Sequence, residues 1–160
     1  MNTSFEKSSV CTTNEWYTPP DIVEALGHFD LDPCSPVTPP YRIADSTYNK
    51  ETDGLAHDWS GRVFMNPPYS HPLVDRFVDK MVEHNNGIAL LFDRCDQAMW
   101  QDKIFPTATA LLFMRGRVKF ITEDGSQRQG AGCGSVLIAW GEENAEALRS
   151  SGIRGKFIHL

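Results

Sequence analysis

Two short apolar segments, Val63-Phe64-Met65 and residues 87–92, lie on either side of an amphipathic stretch, and this pattern constrains the fold most strongly. Residues 71–84 repeat apolar side chains at spacings of three and four, which predicts a helix. The flanking segments are too short for buried helices, and continuous apolar runs of this length are typical of parallel strands covered on both faces. The strand–helix–strand order therefore predicts a parallel sheet with helices packed against it.

The rest of the chain predicts further elements of the same α/β sheet. Thr18-Pro19-Pro20-Asp21 is expected to open a short helix with Thr18 as its N-cap, and Gly27 is expected to end it. The proline-rich residues 33–40 are predicted to form a loop. Strands are predicted at 29–31, 108–114, 118–121, 135–140 and 156–159, and helices at 96–105 and 142–150.

Length and composition indicate one folded domain. A chain of 160 residues with 41% apolar and 11% aromatic residues can bury a core, which excludes a disordered spacer. We expect the polar residues 1–14 to form a loose arm and residues 15–160 to form a single compact domain. No apolar run reaches the roughly 18 residues of a membrane span, and the N-terminus has no apolar h-region, so we expect a cytoplasmic protein that contacts no membrane.

The cysteines and histidines predict no metal site. Cys11, Cys34, Cys95 and Cys133 are far apart in the sequence and form no C-x-x-C pair, and the five histidines have no paired spacing. We therefore expect reduced thiols in a cytosolic compartment and no bound metal.

The charged residues are distributed unevenly along the chain. The net charge of −6 argues against an indiscriminate binder of polyanions. Residues 1–114 contain 8 basic and 16 acidic residues, whereas residues 115–160 contain 7 basic and 5 acidic residues. A mildly basic C-terminal third can present one face to an anion, although a random scatter of charges would give the same split.

The strand at Val63 must end at Asn66-Pro67-Pro68-Tyr69, because proline cannot donate to a strand ladder. Ligands of open α/β sheets bind at such carboxyl ends. The lone pair of an exocyclic amine on adenine or cytosine is delocalised into the ring, and it becomes nucleophilic when acceptors hold both N–H groups. The carbonyl groups of the Asn66 side chain and the Pro67 backbone can be those acceptors. Tyr69 offers a ring on which a flipped base can stack, and a proline-rich turn with a packed tyrosine is the structural alternative.

This strand followed by NPPY resembles the catalytic motif of S-adenosylmethionine-dependent amino-methyltransferases. Further segments occur in the order expected of that class: Glu15-Trp16-Tyr17-Thr18-Pro19-Pro20-Asp21, Phe29-Asp30-Leu31-Asp32-Pro33-Cys34, Asp53-Gly54-Leu55, Gly61-Arg62-Val63-Phe64 and Gly116-Arg117-Val118-Lys119-Phe120. Residues 14–141 resemble the phage-type, Dam-like DNA N6-adenine methyltransferases of bacteriophages and prophages. The resemblance implies a Rossmann-like S-adenosylmethionine-dependent methyltransferase fold that acts on double-stranded DNA in a bacterial host cell.

The resemblance also implies a role for each matching residue. The target base would be held by Asn66, Pro67, Pro68 and Tyr69. S-adenosylmethionine would be bound by Trp16, Tyr17, Thr18, Pro19, Asp32, Pro33 and Asp53. From the residues alone, Trp16 and Tyr17 also fit core aromatics, and Asp32 and Asp53 also fit ordinary turns. The wider class has a Gly-rich turn after its Asp-Pro, and this chain has Cys34-Ser35-Pro36, so its backbone is expected to approach the cofactor less closely.

Basic residues predict the DNA contacts. Arg94 follows the strand after NPPY, and Arg115, Arg117 and Lys119 would share one face of a strand, where they can track phosphates. Arg128 lies in a Gly-rich loop at 123–134, the expected minimal recognition loop, where such side chains can read base edges. Each group has a competing interpretation. Arg94 also fits a surface ion pair, the residues at 115–119 also fit a solvated strand face, and the loop at 123–134 also fits an ordinary flexible hairpin.

The sequence motifs alone do not determine which substrate accepts the methyl group. Cytosine N4, adenine in RNA and a protein glutamine amide all present a planar nitrogen that NPPY can hold. A noncatalytic DNA-binding remnant of the fold is the alternative from a different class. We expect a monomer or weak dimer.

Overall fold

A central sheet runs through the computed structural model, which describes residues 16–122, 125 and 132–160. Helices cover both faces of the sheet, and no described helix is long and apolar enough to cross a membrane. The strands are β1 (Leu31–Asp32), β2 (Ser46–Thr47), β3 (Val63–Met65), β4 (Gly87–Phe92), β5 (Ala110–Met114), β6 (Ser135–Trp140) and β7 (Gly155–His159). The helices are α1 (Pro20–Leu26), α2 (Leu73–His84), a π-helix (Met99–Ile104), α3 (Phe105–Thr107) and α4 (Glu142–Ser150).

The sheet has a parallel half and an antiparallel half. Its strand order is β2-β1-β3-β4-β6-β5-β7. The first four strands in that order pair in parallel, whereas β6 runs antiparallel to β4 and β5, and β7 runs antiparallel to β5. The prediction of an α/β sheet with parallel central strands is confirmed. The architecture is consistent with a Rossmann-like methyltransferase fold in a single domain.

The continuous apolar strands are explained by two cores, one on each face of the sheet. Val63 and Met65 pack with α2 and the π-helix, whereas Phe64 between them packs with α1 and α4. All three side chains have no exposed surface. Neighbouring residues of a strand point to opposite faces, so a strand covered on both sides needs apolar residues at every position.

Two sequence expectations for local structure are wrong. Residues 118–121 form no strand, and only an isolated antiparallel bridge joins Ile121 to Tyr17. The reason is that β6 and β7 occupy both edges of β5, so this segment has no free strand edge to join. Thr18 does not cap α1, because Pro19 occupies the N-cap position and the Thr18 side chain bonds elsewhere.

Three other elements differ in extent from the prediction. The first strand is Leu31–Asp32 rather than 29–31, although Phe29 is fully buried. The segment at 96–105 is helical only from Met99, as a π-helix followed by α3. The strand β2 has no apolar residue and both its side chains are exposed, so no hydrophobic signal could predict it.

Arg62 ties three parts of the fold together at the amino end of β3. Its guanidinium donates hydrogen bonds to the carbonyl oxygens of Leu26 and His28, each at 2.8 Å, and to Oδ1 of Asn144 at 2.7 Å. It also lies 4.2 Å from the centre of the Phe29 ring. Because Asn144 is fully buried, its Oδ1 needs a donor, and Arg62 supplies it while joining the end of α1 to α4. Arg62 in the Gly61-Arg62-Val63-Phe64 motif therefore has a structural role.

We predict that Arg62→Lys lowers the free energy of unfolding by about 1–3 kcal/mol, because lysine cannot form the planar three-way bond pattern and leaves buried acceptors unpaired. Urea denaturation measures this difference. The matched control is Arg149→Lys on α4, because among the described residues the exposed Arg149 guanidinium bonds only to Glu146. This substitution should change stability by less than about 0.5 kcal/mol. Equal effects of the two substitutions would contradict the assigned role of Arg62.

Candidate active site

The carboxyl ends of the parallel strands bring the candidate residues together. Asp32 ends β1, residues 48–49 follow β2, and Asn66 follows β3. A cavity of about 290 Å³ opens at this edge, at the lower limit of typical small-molecule sites. Its walls include Trp16, Tyr17, Pro33, Asp53, Asn66 and Pro68. Four of the seven predicted cofactor residues and two of the four predicted base residues therefore border one space.

The Asn66 side chain is held in a single orientation. Its Nδ2 donates to the carbonyl oxygen of Trp16 at 2.6 Å and to Oγ1 of Thr18 at 3.1 Å. A primary amide nitrogen has two hydrogens, so both are used. Exchanging the amide nitrogen and oxygen would place two oxygens against each other at Trp16. The segment at 16–18 thus fixes which end of Asn66 carries the free acceptor.

Tyr69 holds the opposite end of the same amide. Its hydroxyl lies 2.8 Å from Oδ1 of Asn66 and 3.3 Å from the carbonyl oxygen of Leu90. Burial raises the pKa of the Tyr69 hydroxyl above its usual value, with smaller contributions from Cys133 and Cys34, so the group keeps its proton and donates. One face of the ring stacks on Phe92, with 4.0 Å between ring centres. That face of the Tyr69 ring is therefore closed to a base.

Asn66 and Pro67 keep acceptor capacity after these contacts. A carbonyl oxygen accepts two hydrogen bonds, so Oδ1 of Asn66 has one lone pair left beside the Tyr69 hydroxyl. Within the described part of the chain, no N–H or O–H donates to the carbonyl oxygen of Pro67. Adjacent acceptors of this kind suit a group with two N–H bonds.

The floor of the cavity depends on a close contact between two loops. A side chain at Gly54 would begin 2.2 Å from the carbonyl oxygen of Pro33, so only glycine lets these loops meet. Asp53 precedes it with φ of +53°, and its Oδ1 accepts a hydrogen bond from the Leu55 backbone at 3.0 Å. Asp53 therefore shapes the turn and also borders the cavity, and its contact with a cofactor stays a prediction.

Comparisons with known proteins identify the family of this chain. The sequence model of the family described as DNA N-6-adenine-methyltransferase (Dam) matches residues 6–153. The chain belongs to the Dam family. A DNA N-6-adenine-methyltransferase of Escherichia phage T1 is 29% identical over 136 residues, which cover 79% of this chain and 54% of the relative. A protein of the same name from Haemophilus phage HP1 (strain HP1c1) is 31% identical over 105 residues, which cover 60% of this chain and 57% of the relative. The chain thus spans about half the length of these Dam relatives.

Three residues predicted to bind the Dam cofactor lie outside the main cavity. Thr18 and Asp32 line a second, smaller cavity that shares Asn66 with the main one, and Pro19 lines a separate groove. Burial raises the pKa of Asp32 to about 7, while a hydrogen bond from the Cys34 backbone opposes the rise. Burial, followed by the charge of Asp32, also raises the pKa of the Cys34 thiol, so this thiol stays protonated and is a poor nucleophile.

The basic residues predicted to contact DNA occupy two places. Arg94 is exposed beyond β4, near the Cys133 thiol. Burial raises the pKa of that thiol, and hydrogen bonding from Arg94 opposes the rise. Arg115, Arg117 and Lys119 line the groove that contains Pro19, although they are not on a strand. Arg128 and most of the loop at 123–134 lie outside the described residues.

Sequence reasoning missed several residues that line the main cavity. Asn49 and Lys50 come from a polar segment without periodicity, and Leu73 and Phe77 were interpreted only as the apolar face of α2. The apolar pair gave no separate signal, because a helix side chain that borders a cavity has the same spacing as one in the core.

One group of possible metal ligands lies far from this cavity. His28, Asp30 and Asp45 are exposed, and their ligand atoms lie within 4.8 Å of one another. Asp30 precedes β1 and Asp45 precedes β2, so the group is at the amino end of the strands, opposite Asn66. His28 already contacts Asp45 at 2.9 Å, and Asp30 accepts a bond from the Arg62 backbone. The absence of a metal stays a prediction.

We predict that Thr18→Val lowers the rate constant of methyl transfer about tenfold, because Asn66 loses one of the two acceptors that orient it. Cofactor affinity, measured by calorimetry, should be unchanged. Thr18→Ser keeps the oxygen and should restore the rate. If Thr18→Val weakens cofactor binding instead, or if Thr18→Ser is equally impaired, Thr18 does not act through Asn66.

Proposed function

We propose that this Dam-family protein transfers a methyl group from S-adenosylmethionine to N6 of adenine in double-stranded DNA. The observation that carries the proposal is the Asn66 amide, whose nitrogen is held by Trp16 and Thr18 so that its oxygen is directed away from them. The names of the two phage relatives favour adenine over cytosine N4, RNA or glutamine as the methyl acceptor.

The chain acts on the target amine through its acceptors. Oδ1 of Asn66 and the carbonyl oxygen of Pro67 each accept one N–H bond of the exocyclic amine. These bonds draw the nitrogen lone pair out of conjugation and stabilise the positive charge that develops during transfer. Tyr69 holds Asn66 through its hydroxyl and offers one ring face to the base. The base must leave the duplex to reach this position.

The residues around the main cavity fit S-adenosylmethionine. Bound there, the cofactor supplies an electrophilic methyl group on a sulfonium. Trp16, Tyr17 and Pro33 provide apolar walls for the flat and aliphatic parts of the molecule. Asp53 can accept a hydrogen bond from its adenine amino group, and Lys50 can face its carboxylate. Thr18 and Asp32, which line the smaller neighbouring cavity, and Pro19, which lines the groove, support the site from outside the main cavity.

The DNA would be held by the exposed basic residues. Arg94, Arg115, Arg117 and Lys119 contact phosphates in this proposal, and Arg128 reads base edges from the loop at 123–134. The phage origin of the relatives suggests a protein that works in the cytoplasm of a bacterial host. A monomer or weak dimer without metal is sufficient for this chemistry.

We predict that Asn66→Ala lowers methyl transfer to duplex DNA about 10²–10³-fold, the usual cost of one lost group that stabilises developing charge. Transfer of a radiolabelled methyl group to duplex DNA measures the rate. Thermal melting and calorimetry should show unchanged folding and cofactor binding, because Asn66 contacts the 16–18 segment at only two atoms. A rate near that of the wild type would refute the proposal, and so would wild-type protein that binds S-adenosylmethionine but labels no DNA.

A further inference from the structure

A groove of about 500 Å³ lies beside α1 and includes Pro19, which is two residues after Tyr17 in the wall of the main cavity. Arg115, Arg117 and Lys119 line one wall, and Arg154 enters from the turn between α4 and β7. We propose that this groove, including Arg154, binds the phosphate backbone of the substrate duplex. The proposal rests on the proposed function, since it names the surface through which that activity reaches DNA.

The four cations of the groove come from two segments that are distant in the sequence. The backbone N–H of Arg115 donates to the carbonyl oxygen of Arg154 at 2.9 Å, so the 151–154 turn is fixed against the 115–119 segment. All four side chains are exposed. Asp21 is the single carboxylate among the described residues that line the groove. A protein with net charge −6 therefore has a strongly positive cleft at this point.

Within the described part of the chain, the side chains of these cations have no hydrogen-bonding or ion-pair partner, whereas several other basic residues do. Lys103 pairs with Asp79 at 2.7 Å, Arg149 pairs with Glu146, and Arg62 is bound at three sites. No described carboxylate lies within ion-pair distance of any groove cation, and no described group accepts a hydrogen bond from one. Like charges without partners repel one another, and an anion bound in the groove removes that cost.

The position of the groove links it to the reacting base. Pro19 lines the groove, and Thr18, one residue away and thus about 3.8 Å along the chain, bonds to Asn66. A phosphate backbone in the groove would lie against the outer side of the segment that orients the catalytic amide. The antiparallel bridge from Tyr17 to Ile121 fixes that segment to the basic one.

A nucleic-acid backbone fits the groove better than a single small anion. Arg115, Arg117 and Lys119 alternate with buried Val118 and Phe120, so the charges are spaced along the groove instead of meeting at one point. Spaced charges match successive phosphates, and such contacts give affinity that is independent of sequence and sensitive to salt.

The test measures duplex binding against salt concentration, in the presence of S-adenosylhomocysteine so that no turnover occurs. Arg154→Ala should weaken binding about three- to tenfold and reduce the slope of log affinity against log salt by about 0.9, the contribution of one phosphate contact. Arg154→Lys should keep most of the slope. The matched control is Arg76→Ala on α2, which removes an exposed arginine from the opposite face of the sheet and should leave the slope unchanged.

If Arg154→Ala keeps the wild-type slope, the groove does not bind the phosphate backbone. If Arg76→Ala reduces the slope equally, the effect comes only from net charge, and the proposal is also wrong. Tighter binding of an RNA duplex would also overturn it. Thermal melting of each variant excludes unfolding as the cause.

Methyl transfer to the same duplex is measured in parallel. If the wild type methylates adenine but Arg154→Ala does not change the slope, the groove proposal is wrong and the proposed function stands. If the slope depends on Arg154 but no adenine is methylated, the proposed function is wrong and the groove proposal stands.

Discussion

The pair of hydrogen bonds from Asn66 to Trp16 and Thr18 is the contact on which the orientation of the candidate catalytic amide depends. It joins the carboxyl end of β3 to a segment 48 to 50 positions earlier in the chain. That segment forms a wall of the main cavity, and Pro19 at its end lines the basic groove. One short stretch of backbone therefore determines the orientation of the candidate catalytic amide and separates the two surfaces that the proposed reaction needs.

The sheet supplies the rigidity behind this contact. The strand β3 is buried on both faces and lies between β1 and β4, so the position of Asn66 at its end is fixed by two cores at once. The net charge gives little indication of the partner, because the acidic residues are distributed over the body and four exposed cations line one groove. Local charge, and not the total, determines where an anion can bind.

Sequence patterns predicted the parts of the structure that carry a strong local signal. The apolar strands at Val63 and Gly87, the amphipathic α2 and the proline stop at Asn66 were all evident from composition and spacing. The strand β2 could not be predicted, because it is two exposed polar residues that pair only in the folded sheet. Residues 118–121 alternate like a strand, yet β5 had no free edge for them. Arg154 in the groove and Thr18 beside Asn66 were visible only once distant segments had come together.

The central claim is that the Asn66–Pro67 acceptors hold the amino group of adenine, and the chemical identity of the product tests it most directly. A duplex that contains all four bases is incubated with the protein and S-adenosylmethionine, digested to nucleosides and analysed by mass spectrometry. The account predicts N6-methyladenine as the methylated nucleoside. N4-methylcytosine as the product, or the absence of any methylated nucleoside from a protein that binds the cofactor, would contradict it.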